Sequence, residues 1–152
     1  MLDAMTPRIA EILNDHQALE GALLPILHAV QAEFGHIPQD ALPQIAKALN
    51  ISRAEVHGVI TFYHDFRESP AGRHVVKICR AEACQAMGGV ALADHTSAKL
   101  GIDWHETSKS GVTLEPIFCL GLCACAPAAM VNGKLMGRVD AAKMDAVIED
   151  LV

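Results

Sequence analysis

Five cysteines stand in two groups in this chain of 152 residues: Cys79 and Cys84 in "KICRAEACQ", and Cys119, Cys123 and Cys125 in "IFCLGLCACAPAAM". A thiolate is a nucleophile and a soft metal ligand, so thiols gathered in this way point to metal binding or redox catalysis. An odd count does not suit a disulfide framework. The pairs read C-x4-C and C-x3-C, with 34 residues between them. Structural zinc prefers knuckles of two to four intervening residues, often C-x2-C twice. A two-iron, two-sulfide cluster is wider than one ion and takes two thiolates per iron, which suits longer loops. On chemistry alone an iron–sulfur cluster leads, zinc follows, and unligated or redox thiols come last.

Whether the two groups meet depends on the elements around them. "HVVKIC" reads as a strand that Cys79 ends, and Gly88 to Leu100 as a helix with Val90, Ala93 and Leu100 inward. "VTLEPIFC" reads as a second strand ending at Cys119, with Pro116 belonging at a strand end, edge or bulge. In "AAMVNGKLMGRV", Asn132-Gly133 between apolar runs is a strong two-residue hairpin signal. Asp140 caps a last helix with Met144, Val147, Ile148 and Leu151 facing in. The order β-α-β, then β-β-α, is that of a minimal thioredoxin-like core. A strand–helix–strand unit sets its strands parallel by a right-handed crossover. Their carboxyl ends then share one sheet edge, where open α/β sheets hold ligands. The topology, not the spacing alone, brings the two cysteine groups together.

The first 66 residues read as a bundle of short helices. Thr6-Pro7 looks like an N-cap followed by proline at the first helical position, opening a helix with Ile9, Ile12 and Leu13 on one face. A second helix carries Leu23, Leu27, Val30 and Phe34 and stops at Gly35; a third carries Leu42, Ile45 and Leu49. A fourth opens on the capping box Ser52-Arg53-Ala54-Glu55 and buries Val56, Val59 or Ile60, and Tyr63. Proline, glycine and charges in "RESPAGRH" mark a linker at 67–73. The expected organisation is α/β: a helical bundle over 1–66, that linker, and a thioredoxin-like domain of order β-α-β-β-β-α over 74–152.

Composition sets bounds. At 51% hydrophobic residues and a mean hydropathy of +0.25 the chain can build a core. A net charge of −6 with no basic block argues against a nucleic-acid footprint. No apolar run is long enough to span a bilayer, and the first residues lack a secretory pattern, so a soluble, cytoplasmic chain with reduced thiols is expected. His57, His64 and His74 read as surface or packing histidines rather than ligands. Thr61, Phe62 and Tyr63 read first as packing of the last bundle helix and second as a partner contact. Gly88-Gly89 reads as a helix start or as backbone that donates N–H groups to cluster sulfurs. Gly121 and Pro127 read as loop geometry, and Arg80 first as an ordinary solvated cation and second as a charge that favours reduction of a cluster beside it.

The wording of these segments resembles a known family. "C-R-A-E-A-C" with "C-L-G-L-C-A-C-A-P" is similar to the thioredoxin-like [2Fe–2S] ferredoxins, which include the 24 kDa-type subunit of NADH dehydrogenases. "LLPILHAVQAEFGHIPQDALPQIAKALNIS" and "EVHGVITFYHDF" resemble that family's helical leader, with its T-F-Y at Thr61, Phe62 and Tyr63. The resemblance implies that Cys79, Cys84, Cys119 and Cys123 ligate one [2Fe–2S] cluster, with no catalytic side chain in this chain. Cys125 is a fifth thiol beyond the motif and reads as a small buried apolar residue. The resemblance also implies a partner subunit carrying FMN, an NAD(H) site and further clusters. Within the family, "CRAEACQAMGG" and "CLGLCACAPAAM" look most like the gamma subunit of soluble NAD-dependent formate dehydrogenase, reached through the flavin subunit by a molybdenum catalytic subunit. Equivalent subunits of NADH:quinone oxidoreductase or NAD-reducing hydrogenase are the alternative, and a zinc-stabilised interaction module a more distant one. A thiol oxidoreductase is disfavoured, because C-x-x-C is missing.

Overall fold

A computed structural model describes residues 2–152, with side-chain surroundings from Pro7 onward. The chain forms two compact units, Met1–Pro70 and Ala71–Val152.

The first unit is helical: α1 (Leu2–His16), α2 (Leu23–Phe34), a 3-10 turn (Gln39–Ala41), α3 (Leu42–Leu49) and α4 (Arg53–Phe62). Each helix turns one apolar stripe inward, and Ile9, Ile26, Leu27, Val30, Ile45 and Val56 are fully buried in one core. The stops follow from backbone chemistry. Gly35 ends α2 at φ +75° and donates its amide to the Gln31 carbonyl at 2.8 Å. Ser52 opens α4 with the expected box: its amide donates to Glu55 Oε2 at 2.7 Å, and the Glu55 amide donates to Ser52 Oγ at 3.1 Å.

Two expectations fail here. α1 begins at Leu2, so Pro7 lies inside it rather than at its first position. The chain accepts the loss of one helical N–H there, and the Thr6 side chain lies outside the described residues. Tyr63 does not point into the core. The helix stops at Phe62, and Tyr63 turns to φ −90°, ψ 113°, breaking the period that would have placed it beneath Ile60. Phe62 and Tyr63 are exposed, with rings edge-on at 5.1 Å, and Phe66 takes the buried place instead.

The second unit is the mixed α/β domain: β1 (His74–Cys79), α5 (Glu82–Ala86), α6 (Gly89–Leu100), β2 (Val112–Ile117), a 3-10 turn (Cys123–Cys125), β3 (Ala129–Val131), β4 (Lys134–Met136) and α7 (Ala141–Leu151). The sheet order is β2-β1-β3-β4, with β1 and β2 parallel and the other neighbours antiparallel. Strand alternation puts Val76, Ile78, Val112 and Leu114 on one face, where Leu92, Ala93, Met144 and Ile148 of α6 and α7 complete a core. Asn132 at φ 49° and Gly133 at φ 83° make the tight hairpin turn. Asp140 caps α7 by accepting from the Lys143 amide at 2.8 Å. Pro116 sits in β2, which is an edge strand, as a residue without an amide requires.

Three details differ from expectation. The connection after β1 holds a separate short helix, α5, before α6. Val90 is exposed, because the buried stripe of α6 runs through Gly89, Leu92, Ala93 and Thr96 and leaves it to one side. β2 ends at Ile117, so Cys119 lies beyond the strand in a loop. The fold is the thioredoxin-like α/β arrangement preceded by helices.

Candidate metal centre

The parallel pairing of β1 and β2 sets the site. Cys79, the last residue of β1, lies opposite Ile117, the last of β2, so both following loops leave from one edge. Two backbone bonds tie these loops together: the Arg80 amide donates to the Ile117 carbonyl at 2.7 Å, and the Cys79 amide donates to the Ala128 carbonyl at 3.0 Å. Cys84 sits inside α5 and, like Cys79, is 2% exposed. Cys119 and Cys123 are exposed, Cys125 is half-buried, and all five thiols are free.

The thiols are organised as two pairs. Cys79 and Cys84 lie close enough to interact, and so do Cys119 and Cys123. Cys123 is near enough to Cys79 and Cys84 to interact electrostatically with both. The Cβ of Cys125 lies 2.7 Å from where a Cβ on Gly137 would fall.

Backbone amides point at the sulfurs. Burial pushes the Cys79 thiol up, but the Ala81 amide, the Cys84 thiol and the amides of Cys119 and Leu120 outweigh it and hold its pKa below the ordinary thiol value. Burial, then the hydrogen bond with Cys79, pushes Cys84 up despite an amide donated by Ala128. Cys123 is pushed up, chiefly by its hydrogen bond with Cys119. Gly121 donates its amide to Cys119 Sγ at 3.4 Å. Cys119 adopts φ +106°, a region that costs a residue with a Cβ about 1–3 kcal/mol, and this turn aims its amide at Cys79. Gly121, at φ +73°, supplies the next reversal without that cost.

Of the two readings of Gly88-Gly89, the structure holds the helix start, with α6 beginning at Gly89 and Gly88 before it at φ 94°. The Gly88 amide donates to the Gln85 carbonyl at 3.1 Å, and Gly89 instead lets α6 press on the backbone of Cys84. The donors Ala81, Leu120 and Ala128 carry no mark in the sequence, because any residue can offer an amide. His57 and His64 are exposed, and His74 contacts Asn132 at 3.0 Å.

Among the described residues, no three His, Cys, Asp or Glu side chains gather round one point closely enough to hold a single metal ion. Two thiol pairs lined with amide donors fit a two-iron cluster, which takes two thiolates per iron and is stabilised in its reduced form by N–H bonds to sulfur.

The chain is similar to known proteins. The family model described as Thioredoxin-like [2Fe-2S] ferredoxin matches residues 9–152. An NADH-quinone oxidoreductase E-type subunit of Rhizobium meliloti (strain 1021) is 37% identical over 129 residues, covering 84% of this chain and 77% of that protein. The corresponding E-type subunit of Mycobacterium bovis (strain ATCC BAA-935 / AF2122/97) is 38% identical over 80% of this chain, which spans only 49% of that protein. Among solved structures, an NAD+-reducing [NiFe]-hydrogenase in the air-oxidized state superposes with a TM-score of 0.65 at 28% identity, over 82% of this chain and 22% of that one. The chain therefore spans about half or less of the length of some of the relatives it matches.

Proposed function

The chain belongs to the thioredoxin-like [2Fe–2S] ferredoxin family, whose cofactor is a [2Fe–2S] cluster, and from that premise we propose that it is the electron-transfer subunit of an NAD-linked oxidoreductase complex. Cys79, Cys84, Cys119 and Cys123 would hold the cluster, which when bound supplies one-electron transfer. The observation that carries this reading is the meeting of two thiol pairs at one sheet edge, on backbone amides already turned toward the sulfurs. Burial of Cys79 and Cys84 keeps water from one side, and exposure of Cys119 and Cys123 leaves the other side open to a partner.

The partner in this proposal is a subunit carrying FMN and the NAD(H) site, because a flavin can split a hydride pair into single electrons. The names of the relatives, NADH-quinone oxidoreductase and NAD+-reducing hydrogenase, support hosts of that kind. The finer proposal, the gamma-type subunit of an NAD-dependent formate dehydrogenase with a molybdenum subunit, is supported by the wording of the two cysteine segments. A cytoplasmic location is part of the same proposal; among the described residues no helix is long and apolar enough to cross a membrane.

The test is purification of the chain with its native partners, followed by iron, zinc and flavin analysis and assays of formate-, hydrogen- and quinone-linked NAD activity. Iron without zinc, a flavin-bearing partner, and one of those activities are expected. A zinc-loaded chain without flavin would overturn the reading.

A further inference from the structure

β2 is the edge strand of its sheet, and most of its free side is taken by the segment before it. His105 donates its amide to the Leu114 carbonyl at 2.7 Å, the Leu114 amide donates to the Glu106 carbonyl at 3.1 Å, and the Ser108 amide donates to the Val112 carbonyl at 2.8 Å. Past Leu114 this cover ends. Pro116 has no amide to offer, and a cavity of about 420 Å³ opens, lined by Arg80, Gln85, Trp104, His105, Pro116 and Phe118.

The lining is chemically specific. The Arg80 guanidinium lies over the Trp104 ring, 5.3 Å from its centroid, and Trp104 in turn packs on the sheet core, so the platform is fixed. Arg80 Nε is buried without a hydrogen-bond partner, and among the described residues no carboxylate pairs with this guanidinium. Phe118 is 57% exposed, a large apolar side chain beside a cation. Arg80 follows Cys79 directly and Phe118 directly precedes Cys119, so the cavity borders both thiol groups.

We propose that this cavity is the docking socket for the electron-exchanging partner, and that it receives an Asp or Glu side chain carried on an apolar segment of that partner. The inference rests on the reading under Proposed function and adds the recognition chemistry. Any protein exchanging electrons at this edge must approach the exposed Cys119 and Cys123, and so must cover Phe118. A planar guanidinium offers a carboxylate two parallel N–H donors, and Arg and Trp in a desolvated pocket are what interface hot spots are made of. The chain carries a net −6, so this cation is a local exception that would fix the register of an acidic partner segment.

The test uses the full-length, cluster-loaded chain and the flavin-bearing partner that purifies with it. Arg80→Glu and Phe118→Asp should each raise the dissociation constant roughly tenfold or more, with the visible spectrum and iron content of the chain unchanged. A photo-reactive amino acid in place of Phe118 should mark a partner segment that contains Asp or Glu. Changing that acid to Arg should recover most of the affinity lost in Arg80→Glu. The inference is overturned if the wild-type complex forms and both variants bind it within about twofold, or if the marked segment has no acid. Should Arg80→Glu lose its cluster, Phe118→Asp, at an exposed position, decides alone. A wild-type chain that purifies with no flavin-bearing protein overturns the functional reading and this inference together, an outcome distinct from variants that bind normally.

Discussion

A Cβ placed on Gly89 would lie 2.6 Å from the carbonyl oxygen of Cys84 and 2.9 Å from its carbonyl carbon. α6 thus starts against the backbone of a buried cysteine, and only hydrogen fits between them. The obstacle is backbone rather than a movable side chain, so Gly89→Ala must displace α5 or α6. The expected cost is about 1–3 kcal/mol of stability, as for other overpacked sites, with iron content falling because Cys84 moves. Gly58→Ala in α4, where nothing lies within 4 Å, is the control. It should stabilise by roughly 0.5–1 kcal/mol, the ordinary gain from removing an interior helical glycine. Thermal unfolding and iron analysis of the two variants read both outcomes.

The α6–α7 contact carries a pH dependence. Asp145 Oδ1 lies 2.8 Å from His95 Nε2 and 3.2 Å from Lys99 Nζ. The hydrogen bond from His95, then that from Lys99, holds the Asp145 carboxyl below its usual value of 3.8. A carboxylate whose folded pKa is depressed adds stability above the unfolded pKa, and this is lost as pH falls through the folded pKa. Asp145→Asn should therefore unfold at a lower temperature than wild type near neutrality. The gap should close as the medium is acidified below the usual carboxylate range, and solvent exposure and salt keep it small.

Ser52 should matter more than its exposed position suggests. Its hydroxyl accepts from the Glu55 amide at 3.1 Å and starts the last helix of the first unit. Ser52→Ala should cost about 1 kcal/mol, and Ser52→Asn, which keeps a capping oxygen, much less. Chemical denaturation monitored by far-UV circular dichroism measures the difference.

What the sequence discloses depends on whether a feature is written in side chains. β1 is legible to both its ends because "HVVKIC" is bounded by a linker and by its own cysteine. Ser52, Asp140 and Asn132-Gly133 are legible because caps and tight turns demand particular residue types. α5 leaves no such trace, because a five-residue helix is too short to show a period. Tyr63 falls in the core only if the period of α4 is carried one step past its last turn, and the helix stops before that step. At the site, the fold explains why the two cysteine loops leave from one sheet edge, but the amides of Ala81, Leu120 and Ala128 carry no sequence mark. Trp104, the only tryptophan, is a detectable singularity, though its pairing with Arg80 depends on the 104–108 segment returning along β2.

The assignment of four ligands out of five cysteines is tested most directly by electron paramagnetic resonance and iron analysis of two variants. Cys125 packs against Gly137, whereas Cys123 interacts with Cys119. Cys125→Ser should keep about two irons per chain and an unchanged signal after reduction. Cys123→Ser should lose the cluster, or show an altered signal from serine ligation or recruitment of Cys125, which the double variant would then abolish. Loss of the cluster in Cys125→Ser, with the signal of Cys123→Ser untouched, would contradict the assignment.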